Sequence, residues 1–153
     1  MKKMLSIALL AFVLVSCATA TTKTSQALSK EEKEKLLRDR VMTVWTAMVG
    51  GDRGIVYDMY DPFYRAKQDR DAFKGKAINI YYYNPYIEEI DIKGDVATVK
   101  VRQTYEIKGI KMLGKEVNQP PKEAITTETW IFVDNNWYRE YINYIMDRPG
   151  VDF

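Results

Sequence analysis

The chain of 153 residues contains no histidine and one cysteine, Cys17. Lack of histidine removes Ser-His-Asp catalysis and His-containing zinc sites. A single cysteine excludes an internal disulfide. No P-loop and no G-x-G-x-x-G pattern occurs, so neither of those phosphate cradles is present. An excess of one charge is missing too, with 23 Lys+Arg against 21 Asp+Glu. A domain without a basic face lacks the electrostatic footprint that nucleic acid requires, so no nucleic-acid partner is expected. No cofactor and no metal are expected either. Any chemistry falls to Asp, Glu, Lys, Arg, Tyr, Ser or Thr. Aromatics, by contrast, are plentiful, with 11 Tyr and 3 Trp. Tyrosine brings a large apolar area and one hydroxyl that seeks a partner. The rings therefore build either a core with hydroxyls at its rim or a pocket lined by amphipathic faces.

Long apolar runs are equally scarce. The most prominent, Leu5 to Val15, falls short of the roughly 20 residues that span a bilayer. It follows Lys2 and Lys3 and ends in Leu14-Val15-Ser16-Cys17, which is the order of a signal peptide. A structural helix would explain neither the lysines before the run nor the cysteine after it. The ending resembles the lipobox of bacterial lipoproteins. That resemblance implies cleavage before Cys17 and a lipid on its sulfur. Ala18 in the next position resembles the pattern for the outer membrane rather than inner-membrane retention. The expected location is the outer membrane, lipid-anchored and facing the periplasm, or the cell membrane in a host with a single membrane. The expected division is 1–16 signal peptide, 17–28 lipidated tether, and 29–153 one domain with a C-terminal tail. Removing 1–16 takes two of the 23 basic residues and none of the 21 acids, which leaves a neutral protein. The small polar tether reaches at most about 40 Å from the membrane.

Ser29 and Glu32 form a capping-box pattern that opens a helix carrying Leu37, Val41, Val44, Trp45 and Met48 at helical spacing. Gly50-Gly51 ends it. Asp52 caps a second helix with Ile55, Val56, Met59 and Tyr60 on its apolar side, which Asp61-Pro62 stops. A third covers Arg70 to Lys74. The period then changes to two. Ile78–Tyr83 reads as a strand closed by Asn84-Pro85, Tyr86–Ile92 as the next, and Val96–Ile107 as a long one with Ala97, Val99 and Val101 on one face. Residues 108–122, with two adjacent prolines, read as a long connection. Its Ile110, Met112, Leu113 and Val117 fit either an extended hairpin tip or a mobile loop. Ala124–Val133 and Trp137 to about Tyr141 form the last hairpin. A turn at Asn135-Asn136 would pair Phe132 with Arg139 and Trp130 with Tyr141. It would put Glu128, Trp130, Phe132, Trp137, Arg139 and Tyr141 on one face, toward the helices.

Helices first and antiparallel strands after them give an α+β fold. The expectation is three N-terminal helices packed on a curved, mostly antiparallel sheet. This order over about residues 30–142 resembles the nuclear transport factor 2-like (NTF2-like) cone. The Trp-bearing first helix ending in Gly50-Gly51-Asp52, the segment Tyr57–Arg65 and the ending Trp130–Arg139 carry the resemblance. Enzymes of that family use the open cone as a pocket with a carboxylate or an Asp–His pair as base. Histidine is absent here, so only a lone carboxylate with a tyrosine donor would serve.

The candidate pocket residues are Trp45, Tyr57, Asp58, Tyr60, Glu128, Trp130, Trp137, Arg139 and Tyr141. Asp58 is a base only if buried; since charges are seldom fully buried, a solvated residue bonded to an arginine is the plainer role. Arg139 and Glu128 either anchor a ligand or pair with each other at the rim, and the pair follows from the need of a buried charge for a partner. Tyr81 and Tyr83 share a face opposite Tyr82, and either set can line a pocket or pack across strands. The three tryptophans fit core positions as well as a binding platform. No catalytic residue is assigned. The expected function is non-catalytic binding of a small apolar or amphipathic ligand, or of an envelope protein, with a homodimer compatible. The alternatives are a small isomerase, cyclase or hydratase using a carboxylate and a tyrosine, and a structural accessory of an envelope complex.

Overall fold

The computed structural model describes residues 28–76, 79–112 and 115–141. The signal segment, Cys17, the tether up to residue 27 and the tail 142–153 lie outside them. Among the described residues no helix is long and apolar enough to cross a membrane.

Helix α1 (Lys30–Gly50) begins in the expected capping box: Ser29 Oγ accepts from the Glu32 amide at 3.2 Å and Glu32 Oε2 from the Ser29 amide at 2.8 Å. It ends at Gly51, whose φ of 74° is the left-handed conformation that glycine adopts without strain. Three short helices follow, α2 (Arg53–Asp58), α3 (Pro62–Lys67) and α4 (Arg70–Gly75). Each is opened by an aspartate, Asp52, Asp61 and Asp69, whose carboxylate accepts the amide three residues on. Among the described residues the helices thus number four rather than three. Asp61-Pro62 ends one helix and also starts the next, because proline at the first helical position lacks only a donor that would go unused.

The sheet is an antiparallel meander of β1 (Ile80–Lys93), β2 (Val96–Met112), β3 (Lys115–Val133) and β4 (Asn136–Arg139), in that spatial order. Three expectations are corrected. Asn84-Pro85 does not separate two strands: Asn84 takes a φ of 51° and the register shifts between Tyr83 and Tyr86, so the pair makes a bulge inside one strand. Residues 108–112 and 115–122 are not a loop connection but the arms of the long β2–β3 hairpin, the extended-hairpin alternative of the two. Its prolines are tolerated because they fall at a bulge, where Tyr105 pairs with Lys122 and Ile107 with Gln119. The side chains of Ile110, Met112, Leu113 and Val117 lie outside the described ones. Finally, the β3–β4 turn is Asp134-Asn135, both with positive φ, so Phe132 pairs with Trp137 and Trp130 with Arg139. The pairing moves by two residues, and the face assignment survives because side chains alternate with period two.

The inner sheet face and α1 form the main core. Leu37, Val41, Val44 and Trp45 of α1 meet Ala97, Val99 and Val101 of β2, Trp130 of β3 and Trp137 of β4. Full burial of each Leu or Val contributes about 1.5–3 kcal/mol. The Trp137 indole N–H donates to the Lys33 carbonyl at 2.9 Å, which joins the last strand to the first helix. A second cluster of Ala47, Val56, Tyr57 and Phe73 packs the short helices against the C-terminal end of α1.

Candidate functional site

The site is made by the abrupt end of α1. Gly51 reverses the chain, the Asp52 amide donates to the Ala47 carbonyl at 2.8 Å, and the Asp52 carboxylate caps α2 through the Ile55 amide at 3.1 Å. Helix α2 therefore folds back on α1, while the segment after it is tied to β4. Asp61 N–H donates to the Arg139 carbonyl at 3.0 Å, and Arg139 N–H to the Met59 carbonyl at 2.8 Å. Between the end of α1, α2, α4 and β1 lies a pocket of about 280 Å³. Ala47, Met48, Val56, Phe73 and Ile80 make its apolar wall. Asp52, Arg53, Tyr60, Tyr82 and Arg139 give it polar groups.

Arg139 is the centre of this arrangement. Its Nη2 is 2.9 Å from Glu128 Oε1, its Nη1 donates to Met48 Sδ at 3.7 Å, and its guanidinium carbon lies 5.7 Å from the Tyr60 ring centre. Glu128 is buried behind it and accepts from the Trp130 indole N–H at 2.9 Å. Burial pushes the Glu128 carboxyl above its ordinary range, and Arg139 and the indoles of Trp130 and Trp45 oppose that rise. Burial likewise raises the Tyr60 and Tyr82 hydroxyls, so both stay protonated at neutral pH and can donate. On the far side of Arg139 is a small cavity of about 60 Å³, and Glu128 borders that one rather than the larger pocket. Arg53 lines the pocket beside Phe73: its Nε–H donates to the Phe73 carbonyl at 2.9 Å and its guanidinium carbon lies 4.5 Å from the Phe73 ring centre.

Of the expected pocket residues, the structure brings Tyr60 and Arg139 to the pocket, with Glu128 and Trp45 directly behind. Trp45 meets Tyr82 edge-on at 5.4 Å. Five others stand elsewhere. Tyr57 is buried in the second cluster, its hydroxyl 3.0 Å from the Arg65 carbonyl and 2.6 Å from that of Gln68. Asp58 faces solvent and is held by Arg70 at 3.0 and 2.8 Å, which also lowers its pKa. Trp130 and Trp137 are consumed by the core. Tyr141 stacks on Tyr64 at 4.0 Å, outside the pocket. Among the tyrosine triplet, Tyr82 is the inward member, and Tyr81 and Tyr83 are exposed. Asp52 and Arg53 escape a sequence reading because the first looks like a cap and nothing more, and the second has no neighbours in the chain that suggest a site. Met48, Phe73 and Ile80 carry only the signal of ordinary apolar positions.

No family model matches the sequence, and no curated protein matches it. Solved structures do resemble the fold. A candidate dehydratase of the NTF2-like family from Streptomyces avermitilis has a TM-score of 0.50 at 10% identity, over 75% of this chain and 99% of that one. A candidate Ca/calmodulin-dependent kinase II association domain from Exiguobacterium sibiricum has a TM-score of 0.50 at 11% identity, over 74% and 92%. A SEC-C motif containing protein from Psychrobacter arcticus has a TM-score of 0.51 at 15% identity, over 78% and 64%. With four helices, a four-stranded antiparallel sheet and a pocket at the end of the first helix among the described residues, the chain has an α+β fold similar to that of the NTF2-like structures.

Proposed function

We propose that this protein is a lipid-anchored envelope protein whose domain binds a compact amphipathic molecule with an acidic head. The observation that carries the reading is the lining of the pocket at the end of α1. Apolar walls surround two guanidinium groups and two protonated tyrosine hydroxyls, while the one carboxylate there, Asp52, is engaged in capping α2. A guanidinium has five N–H donors. Arg139 donates one to Met48 and sets Nη2 within ion-pair distance of Glu128 without hydrogen-bonding it, which leaves others for a ligand. The volume of about 280 Å³ suits a small ring or short chain rather than a long acyl tail. The anchor rests on the lipobox of Leu14 to Cys17, and its membrane is the outer one, or the single membrane of a host that has no other.

One observation favours a second, catalytic reading. Glu128 has the raised pKa of a general base or acid and lies near Tyr60. Against it, Arg139 stands between Glu128 and the larger pocket, and Trp130 occupies the other carboxylate oxygen. The fold itself serves catalysts and binders alike, and one structural relative is named as a candidate dehydratase.

The test is to extract the full chain from membranes in mild detergent and identify small molecules that leave with it by native mass spectrometry. A bound acid whose occupancy falls in Arg53→Ala and Tyr82→Phe supports binding. Conversion of that molecule by the protein would favour the catalytic reading. An empty wild-type pocket that takes up no added aromatic or short-chain acid would overturn both in favour of an assembly role. For the anchor, Cys17→Ser should release the protein from membranes; a processed, still membrane-bound variant would refute it.

A further inference from the structure

Seven arginines lie among the described residues, and their partners divide them sharply. Arg38, Arg70, Arg102 and Arg139 each have a carboxylate within ion-pair distance. Arg53 gives its Nε–H to a carbonyl. Arg40 on α1 and Arg65 on α3 have neither among the described residues. Instead both lie against one ring, Tyr138 of β4, with guanidinium carbons 5.0 and 5.4 Å from its centre. Each Nε–H is buried without an acceptor. Both side chains are half-buried overall, so the outer ends of the guanidinium groups reach solvent. The nearby carboxylate of Asp58 feels the charge of Arg65, but both of its oxygens are taken by Arg70.

Three elements thus converge two like charges on one phenol, with no counter-charge among the described residues. Each ring contact gives such a pair a modest attraction, which mutual repulsion and the unsatisfied donors oppose. An anion resting on the outer ends of both guanidinium groups would reverse that balance, and the planar N–H forks match the oxygens of phosphate. We propose that Arg40, Tyr138 and Arg65 form a phosphate-binding subsite separate from the pocket at the end of α1. The phosphate is that of a lipid headgroup or of a small soluble phosphate. The site does not depend on the ligand-binding role proposed for the pocket, since the two share no residue.

The test follows the arginine Nε–H signals in a nitrogen–proton correlation spectrum of the full chain in neutral detergent. Inorganic phosphate and short-chain phosphatidylglycerol are titrated separately at constant ionic strength. Saturable shifts of the Arg40 and Arg65 signals with inorganic phosphate identify a soluble anion as sufficient. Shifts with phosphatidylglycerol alone identify the lipid headgroup. In both cases Arg65→Gln should abolish the shift of the Arg40 signal, and phosphate or lipid should raise the Tm of the wild type but not of Arg40→Gln/Arg65→Gln. No saturable shift with either ligand, or an equal Tm rise in the double variant, would overturn the proposal. Neither residue belongs to the apolar clusters, so the variants should keep the core, and an unchanged far-ultraviolet dichroism spectrum confirms that they fold.

Discussion

Arg139→Met should destabilise the protein far more than its partner change Glu128→Leu, and the two together should cost little. The reason is the asymmetry of the pair. Its atoms are 2.9 Å apart, with the side chain of Glu128 1% exposed and that of Arg139 16%. At an effective dielectric of about 20 the attraction is about 6 kcal/mol, and the desolvation of two ions offsets most of it. Removing one partner loses the attraction and keeps the other ion's desolvation, a cost of about 3–5 kcal/mol. Arg139 left alone can turn its guanidinium into the pocket and toward water. Glu128 left alone cannot, and must take up a proton. Its folded pKa, already above the ordinary value of 4.5, then rises further. A carboxyl with a raised folded pKa binds protons more tightly folded than unfolded, so stability is full below the unfolded pKa and is lost as pH climbs through the folded one. Arg139→Met should therefore recover at acidic pH what it loses at neutral pH. Urea unfolding followed by tryptophan fluorescence, at several pH values, measures all four members of the cycle. A loss under about 1 kcal/mol in Arg139→Met, a flat pH response, or a double variant as costly as the summed single ones would refute this account.

Other perturbations give separate tests. Ala47→Leu places extra carbons into a pocket of about 280 Å³, so it should reduce occupancy by any co-purifying acid in native mass spectrometry while leaving the α1 dichroism intact. Asp61→Ala removes the α3 cap at 2.9 Å and the acceptor of the Tyr141 amide at 3.3 Å, and should cost about 1–3 kcal/mol in urea unfolding, with Asp61→Asn recovering much of the loss. Burial and the neighbouring phenols push the Tyr64 hydroxyl from 10.0 up to about 12. The folded state holds that proton more tightly, so this contribution is complete below pH 10 and disappears as pH rises from there toward 12. Tyr64→Phe should flatten the alkaline fall in unfolding midpoint; an unchanged fall would count against the assignment.

The sequence exposes most of the fold because its local signals agree with its tertiary packing. The Ser29 capping box, the Asp52 cap and the alternation of Ala97, Val99 and Val101 are decided by neighbours a few residues away. Where two local signals compete, the reading fails. Asn84-Pro85 has the composition of a turn, yet the flanking strand positions both find partners on β2, so the chain absorbs the pair as a bulge. Asp134, Asn135 and Asn136 all tolerate a left-handed backbone, and the choice among them falls to packing: the observed turn sets the Phe132 ring 5.0 Å from that of Trp137. The candidate site was half legible for a similar reason. Glu128 and Arg139 declare themselves as charges on an aromatic strand face, and their pairing follows from burial. Asp52 and Arg53 belong to the pocket only through the reversal at Gly51, a geometry that spacing along the chain does not encode, and Tyr82 through the choice of which face of β1 turns inward.

The two prolines of β3 have a consequence for how the long hairpin tolerates change. Pro120 and Pro121 carry no amide hydrogen, and they occupy the point where the β2–β3 ladder already skips. Sliding β3 along β2 would move one of them into a ladder position that demands a donor. They act as an index mark, holding the register on the core side, where Ala97 faces Trp130, independent of what happens beyond them. The outer arm, from Ile107 to Gln119, is thereby insulated: residues can be inserted or removed near its tip without displacing Glu128 or the strand that carries Arg139. It is the part of this domain best suited to carry a graft.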